Sequence, residues 1–154
     1  MERHKKKGIL VIVSVIAIVI VVSIAATVLY IDSLPDFPRW EGLGDWEACS
    51  QVASASPEDA LRTASQNFGY TRLDLTHKHA TIMPKYIDDT GIRYELTCTG
   101  GINIGEAEDQ APFASPNLSN AWETIFYDDY TFCLEFAWIE WETGHYFSVS
   151  GRRC

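Results

Sequence analysis

The pattern of hydrophobic and polar positions divides the chain into a short apolar part and a longer mixed part. Residues 9–31 form a run of 23 residues without a charge. A helix needs about 20 such residues to cross roughly 30 Å of hydrocarbon. Four basic residues between Arg3 and Lys7 stand just before the run, and basic clusters of this kind stay on the cytoplasmic side. The pattern therefore predicts a cytoplasmic N-terminus over residues 1–8, a transmembrane helix over 9–31, and the rest of the chain outside.

The same segment also has the parts of a cleaved signal peptide. Residues 1–8 are then the basic region, residues 9–22 the apolar region, and Ser23-Ile24-Ala25 a cleavage site of small residues. Against cleavage, the apolar run continues to Ile31, and Tyr30 stands where an interfacial aromatic side chain is usual. We expect an uncleaved signal anchor, with lipid as the partner of residues 9–31.

A third interpretation rests on Lys5-Lys6-Lys7-Gly8 followed by Ile9-Leu10-Val11. This stretch resembles the class III signal of type IV pilins and related archaeal filament subunits. The resemblance implies that a peptidase cuts after the glycine and that the apolar helix packs in a filament core. Bacterial pilins usually carry Glu at the fifth mature position, where this chain has Val13. Prolines that soon follow the run also argue against a helix that continues past the membrane.

Beyond the membrane segment, residues 32–44 read as a short stalk and residues 45–154 as one domain. Prolines and glycines interrupt every periodic pattern in the stalk. Its apolar side chains are too many for a free linker, so we expect it to lie against the domain or at the lipid interface. A short helix carrying Cys49 is expected between residues 45 and 53.

The strongest helix signal in the domain is Ser56-Pro57-Glu58-Asp59. Serine is a good N-cap, proline suits the first helical position, and acidic residues match the positive end of the helix dipole. The helix is expected to end near Asn67, with Gly69 after it. Ala60, Leu61, Ala64 and Phe68 fall on one stripe, which predicts one buried face.

After Gly69 the pattern changes to period two, which is typical of strands. Alternation over residues 73–79, 81–87 and 92–98 predicts three strands, with Pro84 at an edge or a bulge. Residues 100–120 read as a long loop, and residues 130–141 as a strand that turns near 142–144 into a last strand. We predict an α+β domain in which one main helix packs on an antiparallel sheet of about four or five strands.

Charge divides the chain at the same place as hydropathy. The first 31 residues carry four of the 12 Lys and Arg residues and one of the 21 Asp and Glu residues, a net charge of +3. The total of −9 then leaves −12 for the outer part. At that charge the outer part repels nucleic acid and anionic lipid head groups at long range, so no nucleic-acid partner is expected.

All four cysteines lie after the apolar run. An even number in an exported domain predicts two disulfides, because that compartment is oxidising. None of them has the C-x-x-C spacing of a zinc ribbon or a thioredoxin-type site. Four free, buried thiols are the alternative.

The register of the last hairpin predicts which cysteines pair. If Trp141 pairs with Tyr146 across a four-residue loop, paired positions add up to 287 and Cys133 falls opposite Cys154. The remaining pair is then Cys49 with Cys98. A slip of one residue moves every side chain to the other face and destroys this pairing.

Candidate chemistry in the domain is sparse, and no motif predicts a cofactor. His77 and His79, two apart on a predicted strand, would point to one face, where such a pair can bind a transition metal. That pair is the basis of one alternative function, a metal-assisted hydrolase. Asn117-Leu118-Ser119 matches the acceptor pattern for N-glycosylation.

Aromatic residues offer a second kind of site. Trp138 and Trp141 lie on opposite faces of a predicted strand, so both cannot be buried in a single-sided core, and one should be exposed or covered by the stalk. We expect a contact surface formed by these two side chains with Trp40 and Trp46. The sequence thus predicts a membrane-anchored extracytoplasmic domain that binds a protein partner or supports an envelope assembly without catalysis. A pilin-like filament subunit is the main alternative.

Overall fold

The computed structural model describes residues 2–87, 93–99, 102–103, 119–147 and 153–154. These residues form two units, the first ending at Leu34 and the second beginning at Pro35. The first unit is a single helix, α1 (Glu2–Asp32). Among the described residues, its segment Ile12–Asp32 alone is long and apolar enough to cross a membrane. Length, composition and position agree with a membrane anchor or a signal sequence.

The second unit is α+β, as predicted. Its main sheet has six strands: β1 (Arg39–Gly42), β2 (Lys78–Ile87), β3 (Arg93–Glu95), β6 (Ser119–Asp128), β7 (Leu134–Glu140) and β8 (Tyr146–Phe147). The strand order is β1-β2-β6-β7-β8, and β3 pairs with β2 as well. A separate two-stranded ribbon is formed by β4 (Cys98–Thr99) and β5 (Ile102–Asn103).

The sheet is mixed rather than purely antiparallel. β1 runs parallel to β2, and the other pairings in the sheet are antiparallel. A parallel neighbour is possible because α2 (Trp46–Ser50), α3 (Pro57–Asn67) and the connections between them return the chain from β1 to the start of β2. β1 comes from the predicted stalk, whose residues 39–42 therefore belong to the sheet.

The main helix α3 forms where the sequence predicts it. The Ser56 hydroxyl accepts a hydrogen bond from the backbone N–H of Asp59 at 3.1 Å, and Pro57 occupies the first turn. Ala60, Leu61 and Ala64 are fully buried on the face that packs on the sheet. α2 carries Cys49, as expected for the shorter helix.

One strand prediction is wrong, a second strand was missed, and a third prediction is too long. Residues 74–77 form a short 3-10 helix, because the Asp74 carboxylate accepts hydrogen bonds from the N–H and the hydroxyl of Thr71 and closes a local turn. The strand begins only at Lys78. The central strand β6 was not predicted at all, and the predicted strand over residues 130–141 is in fact the hairpin turn followed by β7.

Pro84 lies inside β2 without disrupting the sheet. The Ile82 carbonyl accepts a hydrogen bond from Leu43, so the alternation of backbone groups places the Pro84 nitrogen on the same side of the strand. β1 pairs only as far as Ile82 on that side, and β3 begins its pairing at Lys85. The missing N–H of proline thus falls at the gap between two neighbouring strands, where it costs no ladder hydrogen bond.

Apolar side chains lie on both faces of the sheet. The main core packs β2, β6 and β7 against α2 and α3, and its largest fully buried side chains are those of Trp122, Phe126, Leu61 and Ile82. The opposite face holds a smaller cluster of Ile87, Ala121 and Trp138, with Phe147 packed against it.

The structure contains both cysteine pairs expected from the sequence, Cys49–Cys98 and Cys133–Cys154. The register at the hairpin is nevertheless different, since Tyr146 pairs with Ile139 instead of Trp141. The paired positions Leu134 and Arg153 add up to 287, two more than Ile139 and Tyr146. Between these two pairs the returning chain therefore has two more residues than β7. The predicted turn over residues 88–91, most of the predicted loop over 100–120 and the Asn117 acceptor lie outside the described residues.

Candidate functional site

The four tryptophans expected to form a contact surface do not lie together on the outside. Trp138 is 5% exposed and Trp141 is 2% exposed, so neither ring is available to a partner. Trp40 and Trp46 are half-buried and pack edge to face, with ring centroids 5.2 Å apart. Both pack against the main core.

Trp138 and Trp141 are both buried because the sheet has two covered faces, where the sequence argument assumed one. Trp141 follows the end of β7 and packs against Trp122 in the main core, with ring centroids 5.1 Å apart. Trp138 lies in the smaller cluster, where its indole N–H donates to the Glu123 carboxylate at 3.2 Å. The Arg93 guanidinium lies 5.6 Å above its ring and forms an ion pair with the same carboxylate.

His77 and His79 do not share a strand face. His77 ends the 3-10 helix and its ring lies 4.8 Å from that of Tyr130. His79 lies in β2, with Nδ1 3.1 Å from the Asp129 carboxylate and its ring 4.7 Å from that of Tyr127. Within the described part of the chain, no group of three or more His, Cys, Asp or Glu residues is placed to hold a metal ion. The hydrolase alternative loses the geometry from which it was inferred.

Both histidines belong instead to an aromatic surface at one end of the sheet. Strand pairing places Arg39, His79, Tyr127 and Leu134 in one row across β1, β2, β6 and β7. The β6–β7 hairpin, residues 128–133, extends beyond this row. We call the side chains that this end displays the aromatic end, defined by Leu73, His77, His79, Tyr127, Tyr130 and Phe132.

Three members of the aromatic end are strongly exposed. Tyr130 is 75% exposed, Phe132 69% and Leu73 59%, the highest values among the large apolar side chains described in the second unit. Leu73 stands at the start of the 3-10 helix that leads into β2. Exposed apolar side chains are ordinary when scattered singly, so their concentration at one end is the informative fact.

A buried carboxylate holds the hairpin in shape. One oxygen of Asp128 accepts hydrogen bonds from the backbone N–H groups of Tyr130 and Thr131, both at 2.9 Å. Its backbone carbonyl accepts from Phe132, and its own N–H donates to the Cys133 carbonyl. Cys133 is also tied to Cys154 by the second disulfide. Every residue of the turn is therefore fixed through its backbone.

The second oxygen of Asp128 forms an ion pair with Lys78. The distance from Nζ to Oδ2 is 2.5 Å, and the two side chains are only 8% and 12% exposed. The ammonium also lies 4.4 Å above the ring of Tyr70. Hydrogen bonding by Lys78, followed by the backbone N–H groups of Thr131 and Tyr130, holds the pKa of the Asp128 carboxyl well below its ordinary value of 3.8.

Phe132 has a backbone conformation that side chains rarely adopt. Its φ is +56°, in the left-handed region that glycine and asparagine tolerate best. For a bulky residue this costs on the order of 1–2 kcal/mol. Its ring nevertheless points largely into solvent, with an edge contact to Tyr127 at 6.3 Å between centroids. The main core does not require this ring, so packing alone gives no reason for phenylalanine at this position.

Two surface cavities are weaker candidates for a binding site than the aromatic end. One of about 410 Å³ is lined by Arg62, Tyr70, Arg72 and Asp36 among others, but its arginines are paired with Asp59 at 2.8 Å and Asp36 at 2.6 Å. The other, of about 260 Å³, lies at the gap between β1 and β3. Neither brings together an arrangement of groups with evident chemistry.

Comparison of the chain with protein-family models, with curated proteins and with solved structures found no match.

Proposed function

We propose that this is a single-pass membrane protein with a cytoplasmic N-terminus, whose outer α+β domain binds a partner in the membrane or cell envelope and catalyses no reaction. The anchor is supported by an unbroken helix over Glu2–Asp32 with apolar side chains through its described part. The orientation is supported by the basic residues before the apolar run and by the two cysteine pairs, which fit an oxidising compartment.

The observation that carries the binding role is the build of the aromatic end. Tyr130 and Phe132 project from a hairpin whose backbone is fixed by Asp128, by the ion pair with Lys78 and by a disulfide. Exposed apolar rings on a rigid support lose little conformational entropy when a partner covers them. This end of the sheet therefore replaces the buried Trp138 and Trp141 as the proposed contact surface.

Topology is tested on intact cells with membrane-impermeant reagents. An impermeant maleimide should label the protein only after an impermeant reductant has opened the cysteine pairs, because all four thiols are outside and oxidised. Labelling that needs permeabilised cells, or free thiols before reduction, would contradict the proposed orientation.

Intact mass separates the anchor from its two alternatives. A chain that keeps residues 1–8 supports the anchor, whereas one that begins at Ile9 supports a pilin-like filament subunit. A chain that begins after Ala25 indicates a cleaved signal peptide.

The contact surface is tested by photocrosslinking in cells. Benzoylphenylalanine is placed at Phe132 and, as a matched control, at Glu142, which is also exposed but lies in the β7–β8 turn at the other end of the sheet. We expect adducts from position 132 to exceed those from position 142. Equal yields at both positions would refute a binding role for the aromatic end.

A further inference from the structure

The exposed apolar side chains lie at the end of the sheet where the chain enters it. β1 begins at Arg39, in the same row as His79, Tyr127 and Leu134. Residues that precede Arg39 leave the sheet on the same side of this row as the hairpin, because β1 is parallel to β2 and β2 is antiparallel to β6. The chain therefore enters the sheet at the same end of the strands as the aromatic end.

The connection to the apolar helix is short. α1 ends at Asp32 and β1 begins at Arg39, seven residues later. Seven residues span at most about 25 Å when fully extended. If residues 9–31 cross a bilayer, the edge of the domain that carries Tyr130 and Phe132 cannot move far from the membrane surface.

We infer that Leu73, Tyr130 and Phe132 insert into the head-group region of the outer leaflet that holds the anchor. This inference rests on the proposed function and names the partner of the aromatic end as a lipid surface. Tyrosine and phenylalanine suit that layer, since it accepts rings with an apolar body beside polar groups. The strong negative charge of the outer domain disfavours anionic lipids, so the surface that fits is zwitterionic.

The size of the surface favours lipid over a protein. Three side chains at these exposures present roughly 400 Å² of apolar area, about half of what each partner buries in a stable protein interface. A weak contact suffices for a tethered domain, because the linker keeps the local concentration of the membrane high. A free protein partner has no such advantage.

The test uses the full chain in vesicles of phosphatidylcholine, with no other protein present. Benzoylphenylalanine is placed at position 132, where it replaces one aromatic ring by another, or at position 142. Position 142 lies about 20 Å farther along the sheet, six residues of strand at roughly 3.3 Å each. We expect a lipid adduct at position 132 and an adduct at least about tenfold weaker at position 142, because the reactive group must touch the lipid to form one.

Each result decides the matter. No lipid adduct at position 132, or equal yields at both positions, would overturn the inference while leaving the anchor intact. An adduct between two copies of the chain in place of lipid would overturn it in favour of self-association. Failure of the anchor itself is recognised separately, since alkaline carbonate would then release the chain from the vesicles; that result overturns the proposed function and this inference together.

Discussion

The ion pair between Lys78 and Asp128 allows the sharpest test of how the hairpin is held. Asp128→Asn keeps an oxygen that can accept the N–H groups of Tyr130 and Thr131, so the turn retains its local hydrogen bonds. The variant removes the negative charge and replaces Oδ2, the acceptor of the Lys78 hydrogen bond, by an amide NH₂ group that can only donate. The ammonium of Lys78 is then left in a site that is almost closed to water, with the ring of Tyr70 as its nearest compensation.

The expected cost is about 3 kcal/mol in the free energy of unfolding. Removal of one partner from a buried ion pair costs roughly 3–5 kcal/mol, because the other charge stays buried without compensation. The lower end applies here, since the retained hydrogen bonds and the Tyr70 ring offset part of the loss. With a urea dependence of about 1.5 kcal/mol per molar, the unfolding midpoint should fall by about 2 M.

Tryptophan fluorescence in detergent micelles measures this directly, because all five tryptophans belong to the outer domain and none to the helix. The matched control is Asp129→Asn, which removes the neighbouring carboxylate. Asp129 is about half exposed and pairs with an exposed partner, His79, so its loss should cost less than about 1 kcal/mol. The double variant Lys78→Met with Asp128→Asn removes both charges and should recover most of the lost stability.

Equal effects of the two single variants would refute the reasoning, since the buried pair would then contribute no more than an exposed one. A double variant as unstable as Asp128→Asn would also refute it. In that case the loss would come from the shape of the hairpin and not from an unpaired charge.

Three further predictions use the same unfolding assay. Folding lowers the pKa of Asp128. The stability that this group contributes is therefore present above its ordinary pKa of 3.8 and is lost as pH falls toward the folded pKa. The urea midpoint of the natural chain should decline below about pH 4 more steeply than that of Asp128→Asn. Gly42→Ala should lower the free energy of unfolding by about 1–3 kcal/mol, because the new methyl group overlaps the indole ring of Trp46. Leu43→Ala changes an exposed neighbour and should cost far less. Similar losses of stability in the two variants would contradict this packing. Phe132→Gly should change stability by less than about 1 kcal/mol, since relief of the left-handed backbone offsets the lost ring contact, yet it should reduce membrane contact; a large loss of stability would mean that the ring is structural.

Elements with strong local signals could be predicted from the sequence. The apolar helix follows from a run too long and too uncharged for anything else in a chain of this size. The main helix follows from Ser56 and Pro57, whose cap chemistry is satisfied by groups within one turn. Both helices depend on interactions between residues close in sequence, so contacts with the rest of the fold change them little.

The central hairpin could not be predicted in the same way. Its turn contains Tyr130, Thr131 and Phe132, all residue types that favour strands, and no glycine marks the left-handed position. Asp128 closes the turn by accepting local hydrogen bonds from Tyr130, Thr131 and Phe132, and the ion pair with Lys78 and the Cys133–Cys154 disulfide hold it from a distance. An alternating pattern of residues does not show these interactions, so the predicted strand over residues 130–141 includes the turn.

The cysteine pairing shows that a correct result can come from an incorrect register. The predicted register pairs Trp141 with Tyr146 and continues in step to Cys133 and Cys154. The structure pairs Ile139 with Tyr146, and the returning chain gains two residues before it reaches Arg153. Two errors of equal size cancel at the cysteines. Since the face of a strand residue has period two, an even offset also leaves every side chain on its expected face.

The tryptophan surface was mislocated for a related reason. Alternation along one strand tells which side chains lie on opposite faces, but not how many faces are covered. Here both faces are covered in part, so Trp138 and Trp141 could both be buried. Exposure at the aromatic end depends instead on where the hairpin turns, and the alternating pattern did not predict that position.

Two unfavourable features meet within the six residues of the hairpin: a left-handed backbone at Phe132 and exposed rings at positions 130 and 132. Each lowers stability relative to a simple replacement, since glycine would relieve the backbone and polar residues would suit the solvent. Neither is required by the main core, which packs on the other parts of the sheet and on α3. These departures from local preference, at a place that a disulfide also fixes, are the reason we propose a contact role for the hairpin. The chain also enters the sheet at this end, only seven residues after the apolar helix ends, and for that reason the partner we propose for the hairpin is a membrane surface.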